Sequence, residues 1–351
     1  MSETIRLMQL IGSPFPAPSS IPVLDKGEMR ALYDLAKRNK ISLLFLQKLS
    51  EMGMLGELEV EYSRRWKDYE VFLSTIRRIY STMAAEGIEG VIFKTIVPFP
   101  TNLNDVDLLL LKTPLISAVD KFEHHGYARF ASAPTSISIH DCVDSKHLDP
   151  VQKDPYDIDV YCEISANRIV YLDKKKLQKL LIPTELMGTQ IMMLPPEVDL
   201  VAQLVHSVFP EQLYTLLHYY SALYYISAMN MNQINNLLAT VMENHVTIPI
   251  KAALALTAQL HNAATGEVPP KLRMILKALG GDADPASTPQ IKDIRAPVRY
   301  DLMTVTQTII EKTVEHKTAL SLLQQLVSMI DPRMTKYIAF HLLLRRRRAT
   351  Y

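Results

Sequence analysis

The 351-residue sequence has only two cysteines, Cys142 and Cys162, and a single tryptophan, Trp66. Two cysteines are too few for a disulfide-stapled scaffold, and they lack the paired spacing of a structural zinc site. A reducing cytoplasm is therefore the expected compartment. Charge of one sign is also lacking: Lys and Arg number 38 against 37 Asp and Glu, a net charge of +1. No global field favours nucleic acid or an anionic membrane, so any such partner must meet a local patch. No apolar run reaches the roughly 18 residues of a membrane span. The first residues show no basic stretch followed by an apolar one, so neither a secretory signal nor a membrane-spanning protein is expected. Internal repeats and low-complexity tracts are missing as well.

What is present is ample core-forming material. Hydrophobic residues make up 48% of the chain and charged residues 21%, enough for a substantial core spread over two or three domains. The sixteen methionines are scattered through helical and strand patterns alike and read as core filling. Four prolines between Gly12 and Pro22 rule out regular structure there. From Lys26 to about Gly53 the pattern predicts a helical pair broken near Asn39 and Lys40. A longer helix follows, with Tyr62, Trp66, Tyr69, Leu73, Ile76, Tyr80 and Met83 on one stripe and Gly87 as its stop.

The period then changes. Gly90 to Val97 and Asp105 to Leu111 read as strands around a breaker-rich connection, the second apolar enough to be central. Pro114 to Gly126 reads as a helix, with strands expected at Tyr127 to Ala131 and Ser136 to Cys142, and a polar loop over Lys146 to Pro155. Tyr156 to Cys162 alternates like a strand with one face toward a site. Beyond Leu194 the pattern is helical, with segments near 196–208, 211–230, 232–244, 248–262 and 268–279. A Gly- and Pro-rich linker at Gly280 to Pro289 precedes two further helical stretches. The expected architecture is α+β: an N-terminal helical region over 1–88, a small mixed-sheet domain over 89–194, a helical domain over 195–280, and a linker with C-terminal helices over 281–351.

The chemistry-bearing signal is a pair of Asp-x-Asp motifs on predicted strands. Side chains at i and i+2 share a strand face, so Asp105 and Asp107 present two carboxylates together. Burying both unpaired is costly, and hard oxygen ligands on a rigid strand suit Mg²⁺ or Mn²⁺. Asp157 and Asp159 repeat the motif, and pairing the two strands would gather three or four carboxylates, the residue set of a two-metal phosphoryl-transfer site. Lys94, at the end of the preceding strand, is a candidate phosphate contact. Against this stands the plainer reading that an Asp-x-Asp marks a strand edge or turn.

Residues 25 to 230 resemble the uncharacterised nucleotidyltransferase family of the DNA polymerase β superfamily. Leu32-Tyr-Asp-Leu-Ala-Lys-Arg-Asn-Lys-Ile-Ser-Leu-Leu44 looks like its opening helices, and Gly87-Ile-Glu-Gly-Val-Ile-Phe-Lys94 like its lead-in to the first strand. Asn104-Asp-Val-Asp-Leu-Leu109 is similar to the catalytic strand. Gly126-Tyr127 follows the next helix, Ile158-Asp-Val-Tyr161 resembles the strand of the third carboxylate, and Pro196-Glu197 with His206 resembles the start of the helical tail. The resemblance implies a metal-dependent transfer of a nucleoside monophosphate from a triphosphate such as ATP to an acceptor hydroxyl, with Asp105, Asp107 and Asp159 as catalytic metal ligands. It makes Lys94, Thr95 and Asn104 the nucleotide-side candidates. The family's glycine turn is replaced by Lys94-Thr95, and ten residues separate Lys94 from Asp105. Either Thr95 and its backbone substitute for that turn, or the domain binds nucleotide or RNA without turnover.

Weaker signals have ordinary structural readings beside the functional ones. The Arg345, Arg346, Arg347 and Arg348 run is a candidate nucleic-acid contact, but cations at a helix C-terminus are favoured electrostatically. Lys174, Lys175, Lys176 and Lys179 form a basic cluster that reads first as a solvated helix face. His124, His125, His140, Cys142, His147 and Cys162 have no regular ligand spacing for zinc. His206 in an apolar helix reads as a hydrogen-bonded core histidine, and Tyr214, Tyr219, Tyr220, Tyr224 and Tyr225 read as interhelical packing rather than a base-stacking platform.

Overall fold

The computed structural model describes residues 2–16, 25–129, 145–150, 156–166, 169–186, 188–281, 295–315 and 318–319. The N-terminal region is helical: α1 (Glu3–Ile11), α2 (Lys26–Arg38), α3 (Ser42–Glu51) and the long α4 (Glu59–Glu86). Helix α1 adds to the pair expected from periodicity. Asp25 and Glu28 start α2 with a reciprocal capping box, Glu28 N–H to Asp25 Oδ1 at 2.8 Å and Asp25 N–H to Glu28 Oε2 at 3.1 Å. The break after α2 falls where expected. Buried Asn39 gives its amide to the Leu35 and Ala296 carbonyls and accepts the Leu216 N–H, while Lys40 takes a left-handed φ of 59°. Gly87 ends α4 at φ 61°, where a side chain would be strained.

The central region contains β1 (Gly90–Ile92), β2 (Asp105–Leu110), α5 (Leu115–His124), β3 (Tyr127–Arg129), β4 (Ser145–Pro150), β5 (Asp157–Tyr161), β6 (Ile164–Ala166), β7 (Ile169–Leu172), the short α6 (Lys174–Leu177), β8 (Ile182–Leu186) and β9 (Thr189–Met193). The mixed sheet runs in the order β3-β4-β5-β2-β1-β9-β8, and the β8–β9 hairpin joins β1 through the single pair Ile92↔Met193. Strands β6 and β7 pair separately. The polar loop expected from Lys146 onward is corrected in its first part: residues 145–150 form β4, bonded antiparallel to β3 on one edge and β5 on the other. Backbone pairing on both edges makes this strand, and its polar composition carries no period that announces it. Residues 151–155 and the strand expected at Ser136 to Cys142 lie outside the described residues.

The helical second half comprises α7 (Pro196–Val208), the two-residue strand β10 (Leu213–Tyr214), α8 (Leu216–Ala228), α9 (Met231–Glu243), α10 (Thr247–Thr265), α11 (Pro270–Ala278), β11 (Val298–Arg299) paired with β10, and α12 (Leu302–Lys312). The fold is α+β with helices before and after the sheet. Of the linker expected at Gly280 to Pro289, only Gly280 and Gly281 are described. Among the described residues no helix is long and apolar enough to cross a membrane.

Strand alternation sorts the sheet's two faces. Val106, Leu108 and Leu110 of β2 and Ile158 and Val160 of β5 pack with Phe72, Ile76, Ile79 and Met83 of α4 and Ala118, Val119 and Phe122 of α5. The opposite face carries Val91, Phe93 and Leu109 into the larger core shared with the N-terminal helices and the helical second half. By the same parity Asp105, Asp107, Asp157 and Asp159 belong to that second face, toward the helical half.

Candidate functional site

Strands β2 and β5 are parallel neighbours in matched register, with Asp105 opposite Asp157 and Asp107 opposite Asp159. Adjacent strands lie about 4.8 Å apart, so both Asp-x-Asp motifs open on one face at the leading ends of two touching strands. All four aspartates are half-buried. The second half of each strand is apolar or aromatic on the same face, with Leu109 and Tyr161. The carboxylates therefore sit at a rim, with apolar packing behind them.

Lys94 reaches into this rim. Its ammonium lies 3.3 Å from Asp107 Oδ1, with side-chain exposures of 6% and 15%, so the pair is largely shielded from water. The same Nζ is 3.3 Å from His206 Nδ1 of α7 and sits over the rings of Phe93 and Tyr161, at 4.7 and 5.1 Å from their centroids. The Tyr171 hydroxyl of β7 also approaches His206 Nδ1, at 3.0 Å. An ammonium can only donate, so Nδ1 is the acceptor and the imidazole proton belongs on Nε2, which faces Glu211 Oε1 at 4.0 Å. Burial and the Lys94 charge hold His206 well below the usual imidazole range, keeping it neutral. The Asp107 carboxyl is pushed up to about 7, by burial first and by the Asp105 and Asp159 charges, against the downward pull of the Lys94 ammonium. Burial acts most strongly on the Lys94 ammonium and lowers its pKa, but Asp107, Tyr171 and Asp105 together outweigh burial and hold it above the ordinary lysine value.

The backbone of Lys94 is held from the same helix. Lys94 adopts φ 59°, the left-handed conformation usually given to glycine. Its N–H donates to Asp199 Oδ1 at 2.7 Å, and Gln203 and the Tyr225 hydroxyl contact Asp199 Oδ2 at 2.8 and 3.1 Å. Asp199 and His206 are seven residues apart on α7, two turns along one face, so one helix fixes both the backbone and the side chain of residue 94. The adjacent Thr95 is buried. Its hydroxyl donates to the Phe93 carbonyl at 3.1 Å and accepts the Asp107 N–H at 2.9 Å, closing the β1–β2 connection. Asn104 is exposed at the bend before β2.

The structure thus brings Lys94 together with Asp105, Asp107, Asp157 and Asp159, uses the Thr95 hydroxyl on backbone, and leaves Asn104 at the rim. Carboxylates in this number and register are donors of the kind a divalent ion takes. Their arrangement is another matter: among the described residues, no group of three or more His, Cys, Asp or Glu side chains is placed to hold a metal ion. The Asp107 side of the cluster faces the Lys94 ammonium.

Sequence reasoning did not single out Asp199 or Tyr171, and it read Tyr225 as interhelical packing. An acid in the first turn of a helix reads as a dipole complement, and only the packing shows that it receives the Lys94 N–H. Tyr214, Tyr219 and Tyr220 are buried between helices, as their packing reading expected. His125 pairs with Glu86 at 2.8 Å on the surface, while Lys174 and Lys176 donate to the Leu110 and Glu243 carbonyls. His140, Cys142 and the Arg345 to Arg348 run lie outside the described residues, as does the side chain of His147. Comparison with protein-family models, with curated proteins and with solved structures finds no match for this chain.

Proposed function

We propose that the chain transfers a nucleoside monophosphate from a nucleoside triphosphate to an acceptor hydroxyl, releasing pyrophosphate, with a divalent ion held at the Asp105, Asp107 and Asp159 rim. The observation that carries this reading is the in-register parallel pairing of the two Asp-x-Asp motifs on β2 and β5. When bound, Mg²⁺ or Mn²⁺ would neutralise triphosphate charge and lower the acceptor hydroxyl's pKa. In this reading Asp105 and Asp159 are the chief ion donors. Lys94 supplies a fixed positive charge beside them, held by Asp107 and by His206 Nδ1. The acceptor is a hydroxyl of RNA, protein or a small molecule.

A second reading has its own observation. The Lys94–Asp107 pair already neutralises one carboxylate, and the Thr95 hydroxyl is engaged with backbone, as befits a nucleotide- or RNA-binding module without turnover. Titration with each nucleoside triphosphate, with and without Mg²⁺ or Mn²⁺, separates the outcomes. Metal-dependent binding lost in Asp105→Ala, together with release of pyrophosphate in an acceptor screen, supports transfer. Binding without pyrophosphate release moves the reading to the silent module, and no triphosphate binding by the wild type removes transfer and leaves the silent module as an RNA binder.

A further inference from the structure

Helix α1 ends against the last turn of α10, where Gln9 Nε2 donates to the Ala264 carbonyl at 3.1 Å. Just past α1, the Ser13 hydroxyl lies 2.9 Å from Nε2 of His261, a ring buried on α10. Gly266 ends α10 at φ 84° and the chain folds back, so that the Glu267 carbonyl stands 2.8 Å from His261 Nδ1. A carbonyl oxygen only accepts, so Nδ1 carries the imidazole proton. Thr265 Oγ1, which donates to the His261 carbonyl at 2.8 Å, is a second acceptor for that proton at 3.0 Å. Nε2 keeps its lone pair, and Ser13 is the donor in its pair with His261. Burial holds the ring below the usual imidazole range, against the upward pull of the Glu267 carbonyl and charge, so Nε2 is unprotonated at neutral pH.

Ser13 is half-buried, while the imidazole behind it is closed to solvent. The Phe15 N–H donates to Ser13 Oγ at 3.1 Å and fixes the oxygen, and the Phe15 ring meets the imidazole edge-on at 6.3 Å. A hydroxyl within hydrogen-bond reach of a base, with that base oriented by a third group, is the arrangement that activates a serine. We infer that Ser13, with His261 as its general base, is a reactive centre apart from the acidic rim that takes the acyl group of an ester. Ser13 Oγ attacks the ester carbonyl carbon as its proton passes to His261 Nε2. The bond from that carbon to the alcohol oxygen then breaks, and the alcohol leaves with the proton. Water, giving a proton to Nε2, attacks the acyl-serine and releases the carboxylic acid, and Nε2 returns the proton to Ser13 Oγ. None of these residues belongs to the rim, so the centre stands whatever the rim binds.

The test is the reaction of the full-length chain with p-nitrophenyl acetate, read as a burst of nitrophenolate and, by mass spectrometry, as the residue that carries the acetyl group. The wild type is expected to release about one nitrophenolate per chain in the burst and to carry acetyl on Ser13. Ser13→Ala should lose the burst. His261→Gln should acylate about 100-fold more slowly, the contribution of a positioned base, with circular dichroism confirming its fold. Ser13→Ala removes a single oxygen, so its comparison with the wild type decides the matter should His261→Gln not fold. A wild-type burst equal to that of Ser13→Ala, or acetyl found only on other residues, overturns the assignment and leaves the pair as a tether between α1 and α10. A folded His261→Gln that acylates as fast as the wild type overturns it as well.

Discussion

Helix α8 begins with a capping box in which histidine takes the place usually held by glutamate or glutamine. Thr215 is the N-cap, and His218 at the third helical position accepts the Thr215 N–H on Nδ1 at 3.1 Å. The ring is 7% exposed and packs against Tyr214 at 5.8 Å between centroids. Accepting that N–H requires Nδ1 to be unprotonated, so the folded state favours neutral imidazole. Burial, helped by the Lys40 charge, lowers the pKa from 6.5 to about 3. Because the folded value is depressed, the stabilisation is complete above pH 6.5 and is lost as pH falls toward the folded value.

At about pH 5, some 1.5 units below the unfolded value, the loss comes to about 2 kcal/mol at 1.36 kcal/mol per unit. His218→Gln keeps a side-chain acceptor for the Thr215 N–H and removes the titration. It should be less stable than the wild type by about 1 kcal/mol at neutral pH, from the lost ring contact, and more stable than the wild type by about 1 kcal/mol at about pH 5. Urea unfolding of both proteins at neutral pH and at about pH 5 measures the difference. His206 is also held neutral, by burial first and in lesser part by the Lys94, His218 and Lys40 charges, so only the part that His218 supplies differs between the two proteins. Equal acid sensitivity of wild type and His218→Gln would refute the reasoning.

Asp199→Ala should leave the Lys94 N–H, Gln203 and Tyr225 without their shared acceptor, costing about 3 kcal/mol. The Lys94 amide should then exchange faster with solvent by NMR, and unchanged protection would show that Asp199 does not hold this turn. Glu311 of α12 accepts the Thr247 and Ile248 N–H groups at 2.8 and 2.9 Å and caps α10 from a distant helix, since the N-cap residue Val246 supplies no side-chain acceptor. Glu311→Ala should cost about 1 to 2 kcal/mol in urea unfolding. A variant as stable as the wild type would mean that water replaces the cap without loss.

The helical regions are legible in the sequence because local signals repeat along them. The Tyr62 to Met83 stripe, the Gly87 stop and the helices beyond Leu194 follow from a 3.6-residue period and terminal residues, which act over a few neighbours. The two Asp-x-Asp motifs are legible for the same reason, since side chains at i and i+2 share a face whatever the strand's partners. The α+β architecture follows from both. Strand β4 is not legible, because its composition is polar and without alternation, and only its pairing with β3 and β5 makes it a strand.

The meeting of the two acidic motifs belongs to tertiary structure. Only the parallel register of β2 and β5 places Asp107 beside Asp159, and a slip of one residue would turn one acidic pair to the opposite face. The setting of Lys94 is likewise a tertiary result. Its left-handed backbone, its pairing with Asp107 and its contact with His206 join β1, β2 and α7, segments separated by up to 112 residues. The sequence by itself determined which residues carry charge and which face of an element each occupies, because those follow from covalent geometry. Which charges share a shielded space depends on how distant segments pack, and no local period records that.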